Sequence, residues 1–337
     1  MNQYINQIYN MELTYYDGYE SFCYQNCLRI LLQAMGYKHP ELYINAAMTL
    51  RIHKGTGEIC FEFHNDMRGL LPSLHSNIVR TYENDEANVI WDKNRSYLYE
   101  KHEPIIAGVD TYYLPYASNY KKNHAKHTLI LCGYDLIENV VYVIDWYPPW
   151  FYRGKVKLDD FLKARSSRNE GDGTIYSGSP IRNNWAYINR FESCNPEKLV
   201  KEFLQTSEEK FFFPICKKEG VEAIVETCKE LKKDCDINYD SLYRSVFAIV
   251  RRVNFFAQYL KIYSDCYRKV TSKTLFNQLN ETKGDWEMLQ FLFMKQMRSK
   301  KETNLMKITK QMESIYQKET EIGEELQKIL WEVYHGE

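Results

Sequence analysis

The apolar positions change period along the chain. From Tyr24 to Met35 (YQNCLRILLQAM) they fall at helical spacing, with Cys27, Ile30, Leu31 and Ala34 on one face and Leu28, Leu32 and Met35 widening it. That pattern predicts a mostly buried helix, and Gly36 suits a left-handed cap at its end. The segments 104–114 (PIIAGVDTYYL), 127–134 (HTLILCGY) and 140–146 (VVYVIDW) are short, rich in β-branched and aromatic residues, and bounded by turn signals. They read as strands of one sheet. The last two, separated by LIEN, have the form of an antiparallel hairpin whose second strand ends at Pro148 and Pro149. An early helix followed by clustered strands predicts an α+β domain.

The pattern changes at Asn195. Asn195-Pro196-Glu197 joins an N-cap candidate, a proline suited to the first helical position and an acidic first turn, so domains are expected at 1–194 and 195–337. The polar, glycine-bearing stretch 166–180 reads as an exposed loop inside the first of them. In the second, Leu242, Val246, Ile249, Val253, Phe256, Leu260, Tyr263, Tyr267 and Val270 form a heptad-like seam. A second seam runs through Leu305, Ile308, Met312, Ile315, Ile322, Leu326 and Ile329, interrupted by Glu319. The economical arrangement is an antiparallel pair of long helices connected near Asn280–Gly284. Such a seam also suits a homodimer.

At 337 residues the chain has room for two cores. Its 44 basic and 45 acidic side chains create no global field, so neither nucleic acid nor an anionic membrane is expected as a partner. The start, MNQYINQIYNMELTYY, lacks the basic opening and apolar core of a signal peptide. No later run approaches the ~20 apolar residues of a membrane span. A cytoplasmic location is expected, and nine cysteines without a short-spaced framework fit reduced thiols. The 28 tyrosines and 16 phenylalanines supply material for a core or for the walls of a cleft.

Candidate chemistry lies at the start of the first helix. A cysteine there faces unpaired N–H groups and the positive end of the helix dipole, which favour thiolate. Cys23 has that placement, whereas Cys27, one turn further in, falls on the apolar face. His127 would exchange a proton with Cys23, and Asp145 would orient the imidazole. Their 18-residue separation fits a hairpin that brings the start of one strand beside the end of the next. The bland alternatives are a core cysteine, a surface histidine beside Lys126 and a turn-forming aspartate.

His124-x-x-His127 with Cys132 supplies at most three metal ligands and no familiar motif completes them, so no metal is expected. Walker A, dinucleotide and G-x-S-x-G signatures are also missing from the sequence. Lys121, Lys122 and Lys126, with Arg153, Lys155 and Lys157 beyond the second strand, read either as a solvated face or as a dock for a phosphate or an acidic protein. Tyr112, Tyr113, Tyr116, Trp146, Tyr147, Trp150 and Phe151 flank both site strands and are expected either to line a substrate pocket or to pack the sheet.

C-x-x-x-C-L-R-I-L-L-x-x-x-G, from Cys23 to Gly36, resembles the nucleophile helix of the cysteine peptidase domains of bacteriocin exporters. His127-x-x-x-x-x-Gly133-Tyr134-Asp135, followed by V-x-V-x-Asp145, is similar to the His and Asp strands of that superfamily. The stretch 109–135 (VDTYYLPYASNYKKNHAKHTLILCGYD) resembles more closely the N-terminal domain family of butirosin biosynthesis protein H. The resemblance covers roughly the first 190 residues and implies a papain-like cysteine peptidase fold, with Cys23, His127 and Asp145 as the catalytic triad. It implies an acyltransferase or amide synthase of natural-product assembly, similar to closthioamide-type enzymes. The acyl group would pass from a phosphopantetheinyl thioester on an acyl or peptidyl carrier protein, through an acyl-cysteine, to a small amine. The phosphopantetheine arm then belongs to the substrate, and no bound cofactor is implied.

One departure concerns the oxyanion. Papain-like enzymes commonly carry Gln about six residues before the nucleophile, where this chain has Asp17. Stabilisation is therefore expected from the Cys23 backbone N–H with Asn26, Gln25 or a tyrosine. The rival functions are a cysteine peptidase or amidohydrolase and a non-catalytic module binding a carrier protein or another partner.

Overall fold

The computed structural model describes residues 13, 22–44, 49–54, 59–62, 77–81, 86–172, 176–193, 195–233, 237–267 and 273–335. In chain order its elements are α1 (Cys23–Ala34), α2 (Glu41–Ile44), β1 (Arg51–Lys54), β2 (Ile59–Glu62), β3 (Ile78–Thr81), α3 (Ala87–Lys101), β4 (Ile105–Asp110), β5 (Lys126–Asp135), β6 (Val140–Asp145), β7 (Tyr152–Lys157), α4 (Leu158–Ser166), β8 (Trp185–Ile188), α5 (Pro196–Ser207), α6 (Gly220–Leu231), α7 (Tyr239–Tyr267), α8 (Lys273–Ser299) and α9 (Glu302–His335). The chain separates into two compact units. One holds Met1–Pro40 with Ser76–Ser193, the other Glu41–His75 with Cys194–Glu337.

The first unit is α+β, built on a six-stranded sheet in the order β3-β8-β4-β5-β6-β7 whose described pairings are all antiparallel. Both faces of its centre are covered, so β4 is buried along its whole length and reads as a continuous apolar run rather than an alternating one. On one face Ile105, Ala107, Val109, Leu129, Leu131, Val141 and Val143 pack with Trp91 and Leu98 of α3 and Phe161 of α4. The alternate positions Ile106, Ile130 and Ile144 are also buried, and α1 packs against β4 and β5. Gly108 sits where β4 meets the chain before β8: a Cβ there would fall 2.0 Å from Asn184 Oδ1, which glycine alone avoids.

Helix α1 ends as its sequence predicts. Gly36 takes φ +90°, and the N–H groups of Gly36 and Tyr37 bond Gln33 and Leu32 carbonyls. The strand expected over 104–114 stops at Asp110. Its carboxylate accepts from the Tyr112 N–H, turning Thr111–Tyr113 into a 3-10 turn rather than more strand. The loop expected at 166–180 is also less exposed than its polarity suggests. Ser167 and Asn169 are buried, and the Asn169 amide holds the Tyr176 and Ser179 carbonyls at 2.9 and 3.0 Å.

The second unit departs from the expected continuous span 195–337 because it recruits 41–75. Strand β1 pairs with β2, the Ile52 N–H donates to Lys218 O, and the Gly220 N–H donates to Leu50 O. Arg51 also pairs with Glu219 Oε1. Helix α5 begins at Pro196, as the proline signal suggests. Among the described residues beyond it stand three long helices, not two. Asn280–Gly284, expected as a connection, lies inside α8, and α8 packs against both α7 and α9.

Seam residues Leu242, Val246, Ile249, Val253, Phe256 and Leu260 of α7 are buried, as are Ile308, Met312, Ile315, Glu319, Ile322 and Leu326 of α9. Packing within one chain therefore covers these seam positions. At the seam ends, Asn304 and Leu330 are buried while Leu305 and Ile329 are half-exposed; Val270 lies outside the described residues. Among the described residues no helix is long and apolar enough to cross a membrane.

Candidate active site

The first turn of α1 is left without a side-chain cap: its N-cap position is Phe22, which offers no acceptor. Cys23, half-buried, is the first helical residue and so sits at the positive end of the helix dipole. Burial pushes its thiol up. The His127 charge and hydrogen bonds from His127 and Thr128 outweigh that, leaving it below the ordinary value of 9.0. One turn later Cys27 behaves oppositely. Burial first, then the charges of Cys23 and Asp145, drive its thiol well up, and its Sγ sits 3.6 Å from the Thr128 carbonyl as a donor.

His127 lies at the start of β5 and Asp145 at the end of β6. Ile130 pairs with Ile144; that register brings the diagonal positions 127 and 145 within reach on one face. The His127 Nε2 stands 2.9 Å from Asp145 Oδ1, and both residues are buried. Burial lowers the imidazole's hold on its proton, but the Asp145 carboxylate and the Cys23 thiolate raise it to about 10. The structure thus gathers Cys23, His127 and Asp145 into one hydrogen-bonded line, in which His127 favours the thiolate form of Cys23.

The expected pocket aromatics divide into two groups. Tyr147 and Trp150 meet the His127 ring edge-on, each at a centroid distance of 5.1 Å, and Trp146 packs edgewise on Phe151. Tyr116 donates its hydroxyl to Asp145 Oδ2 at 2.8 Å and stacks on Tyr152 at 3.9 Å. Tyr112 and Tyr113 gather instead around His124, whose Nδ1 stands 2.7 Å from Asp110 Oδ2. His124 and His127 therefore face different carboxylates, and among the described residues no group of three or more His, Cys, Asp or Glu gathers around a common point for a metal.

The oxyanion candidates fare unequally. The Asn26 amide donates to the Trp146 carbonyl at 2.8 Å, tying α1 to the end of β6. Gln25 is buried, and two positions along a helix place it roughly 200° around the axis from Cys23. Asp17 lies outside the described residues. The basic cluster also divides. Lys121, Lys122 and Lys126 are exposed on the chain entering β5, and the Lys121 ammonium lies over the Tyr120 ring. On β7, Lys155 pairs with Glu138, and Arg153 acts electrostatically on Cys132.

Sequence reasoning missed Thr128 as a partner of both helix cysteines, although it directly follows His127. The Tyr116–Asp145 bond, across 29 residues, leaves no local signal.

Residues 23–146 match the family model of butirosin biosynthesis protein H, N-terminal. The matched span opens on Cys23 and closes one residue beyond Asp145, so it contains the whole hydrogen-bonded line and excludes β7, β8 and the long helices. No curated protein matches the chain.

Proposed function

We propose that the chain is a cysteine-dependent acyltransferase, moving an acyl group from a phosphopantetheinyl thioester to an amine in natural-product assembly. The observation that carries this reading is Cys23 at an uncapped helix start, its thiol held below the ordinary range by His127, which Asp145 orients at 2.9 Å. The family match over residues 23–146 supports the pathway class. A nucleophile helix packed on an antiparallel sheet supports a papain-like fold for the unit that carries the site.

The Cys23 thiolate attacks the thioester carbonyl, forming a new carbon–sulfur bond. The Cys23 backbone N–H and the positive end of the α1 dipole suit the oxyanion that develops. Collapse breaks the bond to the carrier sulfur, which leaves as a thiol with the proton of the His127 imidazolium. The amine then attacks the acyl-cysteine, His127 takes the amine proton, and the amide departs as the Cys23 thiolate is restored. A thioester is already activated, so this reaction demands less of an oxyanion hole than peptide cleavage does. Tyr147 and Trp150, shielding His127, help exclude water that would otherwise compete with the amine. The exposed Lys121, Lys122 and Lys126 suit the phosphate and acidic surface of a carrier protein. The Tyr-rich chain and its helical unit hold no further assigned step.

Intact-protein mass spectrometry with a panel of short acyl thioesters tests the reading. An acyl adduct is expected on the wild-type protein, absent from Cys23→Ala and His127→Ala, and cleared by added amine with amide appearing. An adduct cleared equally fast by water alone would make the protein a hydrolase. An adduct that survives Cys23→Ala would overturn the assignment of the nucleophile.

A further inference from the structure

Asp145 has two carboxylate oxygens, and the pair with His127 uses one. The other, Oδ2, accepts from the Tyr116 hydroxyl at 2.8 Å. That phenol is itself held. Its ring stacks on Tyr152 at 3.9 Å with the planes 6° apart, and it meets Trp150 edge-on. Trp150 in turn donates its indole N–H to Ser118 Oγ at 3.2 Å and packs against His127. Burial, then the Asp145 charge and hydrogen bond, push the Tyr116 hydroxyl well above its ordinary value, so it donates throughout any working range.

We infer that Tyr116 is a positioning residue of this site, not a wall of the substrate pocket: its hydroxyl fixes the Asp145 carboxylate so that the shared proton stays on His127. The inference rests on the acyl-cysteine reading above. A buried carboxylate oxygen with no donor lowers its free energy by binding a proton or by rotating away. Either change takes charge from the imidazolium and removes part of what keeps Cys23 ionised. Among the described residues, the titratable groups facing the pair include Cys23 and Cys27 from α1, His127 from β5, Tyr116 itself, Tyr147 just after β6 and Tyr152 from β7. Cys27 stays protonated, and the Tyr152 hydroxyl donates to the Lys155 carbonyl at 2.8 Å.

Tyr116→Phe removes the hydroxyl and keeps the ring stack. Tyr152→Phe is the control, losing the same group from the stacked neighbour without touching Asp145. Iodoacetamide labelling of the Cys23 peptide, followed by mass spectrometry from pH 5 to 10, reads the thiolate directly and needs no substrate. The wild-type midpoint is expected below 9, the Tyr116→Phe midpoint higher by about 1 pH unit, and the Tyr152→Phe midpoint unchanged. With an acyl N-acetylcysteamine thioester as donor, kcat should fall in Tyr116→Phe while KM holds.

Adding Tyr116→Phe to Asp145→Asn should change nothing further, because the hydroxyl acts only through that carboxylate. A Tyr116→Phe midpoint equal to a depressed wild-type midpoint would overturn the positioning role and leave the nucleophile assignment standing, as would a rise in KM alone. A wild-type midpoint at the ordinary thiol value would sink both. Further loss in the double variant, or a melting temperature lowered as much by Tyr152→Phe as by Tyr116→Phe with equal midpoint shifts, would reduce Tyr116 to a packing residue.

Discussion

Asp145 in the sheet-bearing unit and Glu319 in the helical unit are equally cut off from water, at 2 % and 0 % exposure, and they are provided for in opposite ways. Asp145 has a donor on each oxygen, His127 on one and Tyr116 on the other. Glu319 accepts from the Trp286 indole N–H at 2.8 Å on one oxygen, while Oε2 has no partner among the described residues. Burial, with Asp285 adding to it against the Trp286 bond, raises the Glu319 carboxyl to about 7. Depth alone does not decide whether an acid is charged; the number and charge of its donors do. The sheet gives its acid a donor for each oxygen, and the helices leave theirs with one donor and a carboxyl raised to about 7.

Removing the charge from the first acid gives the largest effect. Asp145→Asn keeps the volume but offers His127 an amide, and acyl transfer should fall about 10³- to 10⁴-fold without vanishing, since the thiol and the open helix turn remain. Steady-state rates with an acyl thioester and amine check this; an effect under tenfold would mean that orientation of the imidazole comes from elsewhere.

Removing the charge from the second acid should stabilise. The rise of Glu319 from 4.5 to about 7 corresponds to about 3 kcal/mol of stability. Because the folded value is raised, that contribution is complete below about 4.5 and lost as pH climbs through 7. The wild-type melting temperature should therefore fall between pH 5 and 8, and Glu319→Gln should flatten that slope while preserving an acceptor for Trp286. Equal slopes in the two proteins would refute the assignment.

The smallest effect tests a third buried ionisable group, Cys27. Cys27→Ala should cost about 1–2 kcal/mol in denaturant melts through lost packing and leave the alkylation rate of Cys23 near wild type.

What the sequence reveals follows from how local the cause is. Helix α1 and the β5–β6 hairpin are legible because their partners are near in sequence and their periods are clean. The order Cys23, His127, Asp145 is legible for the same reason, with the hairpin bringing the last two together. Helix α8 is hidden because its buried face, Leu275, Leu279, Thr282, Trp286, Leu289, Phe293 and Gln296, contains two polar residues that interrupt an otherwise regular heptad. Glu319 reads as a flaw in the α9 seam until Trp286 is found opposite it. The segment 41–75 looks like part of the first domain because its partners, such as Glu219 for Arg51, lie 168 residues away. Tyr116 reads as a pocket wall since nothing local reports its bond to Asp145.

The clasp between Asn26 and Trp146 spans 120 residues, which has a consequence for a chain leaving the ribosome. Cys23 is synthesised long before His127 and Asp145, the groups it is aligned with. Until the second strand of the hairpin emerges and α1 docks on the sheet, Cys23 has only the reactivity of an ordinary thiol. Asp145 is followed immediately by the residue whose carbonyl latches α1, so the hydrogen-bonded line and its clasp emerge together, before β7 and β8 complete the sheet.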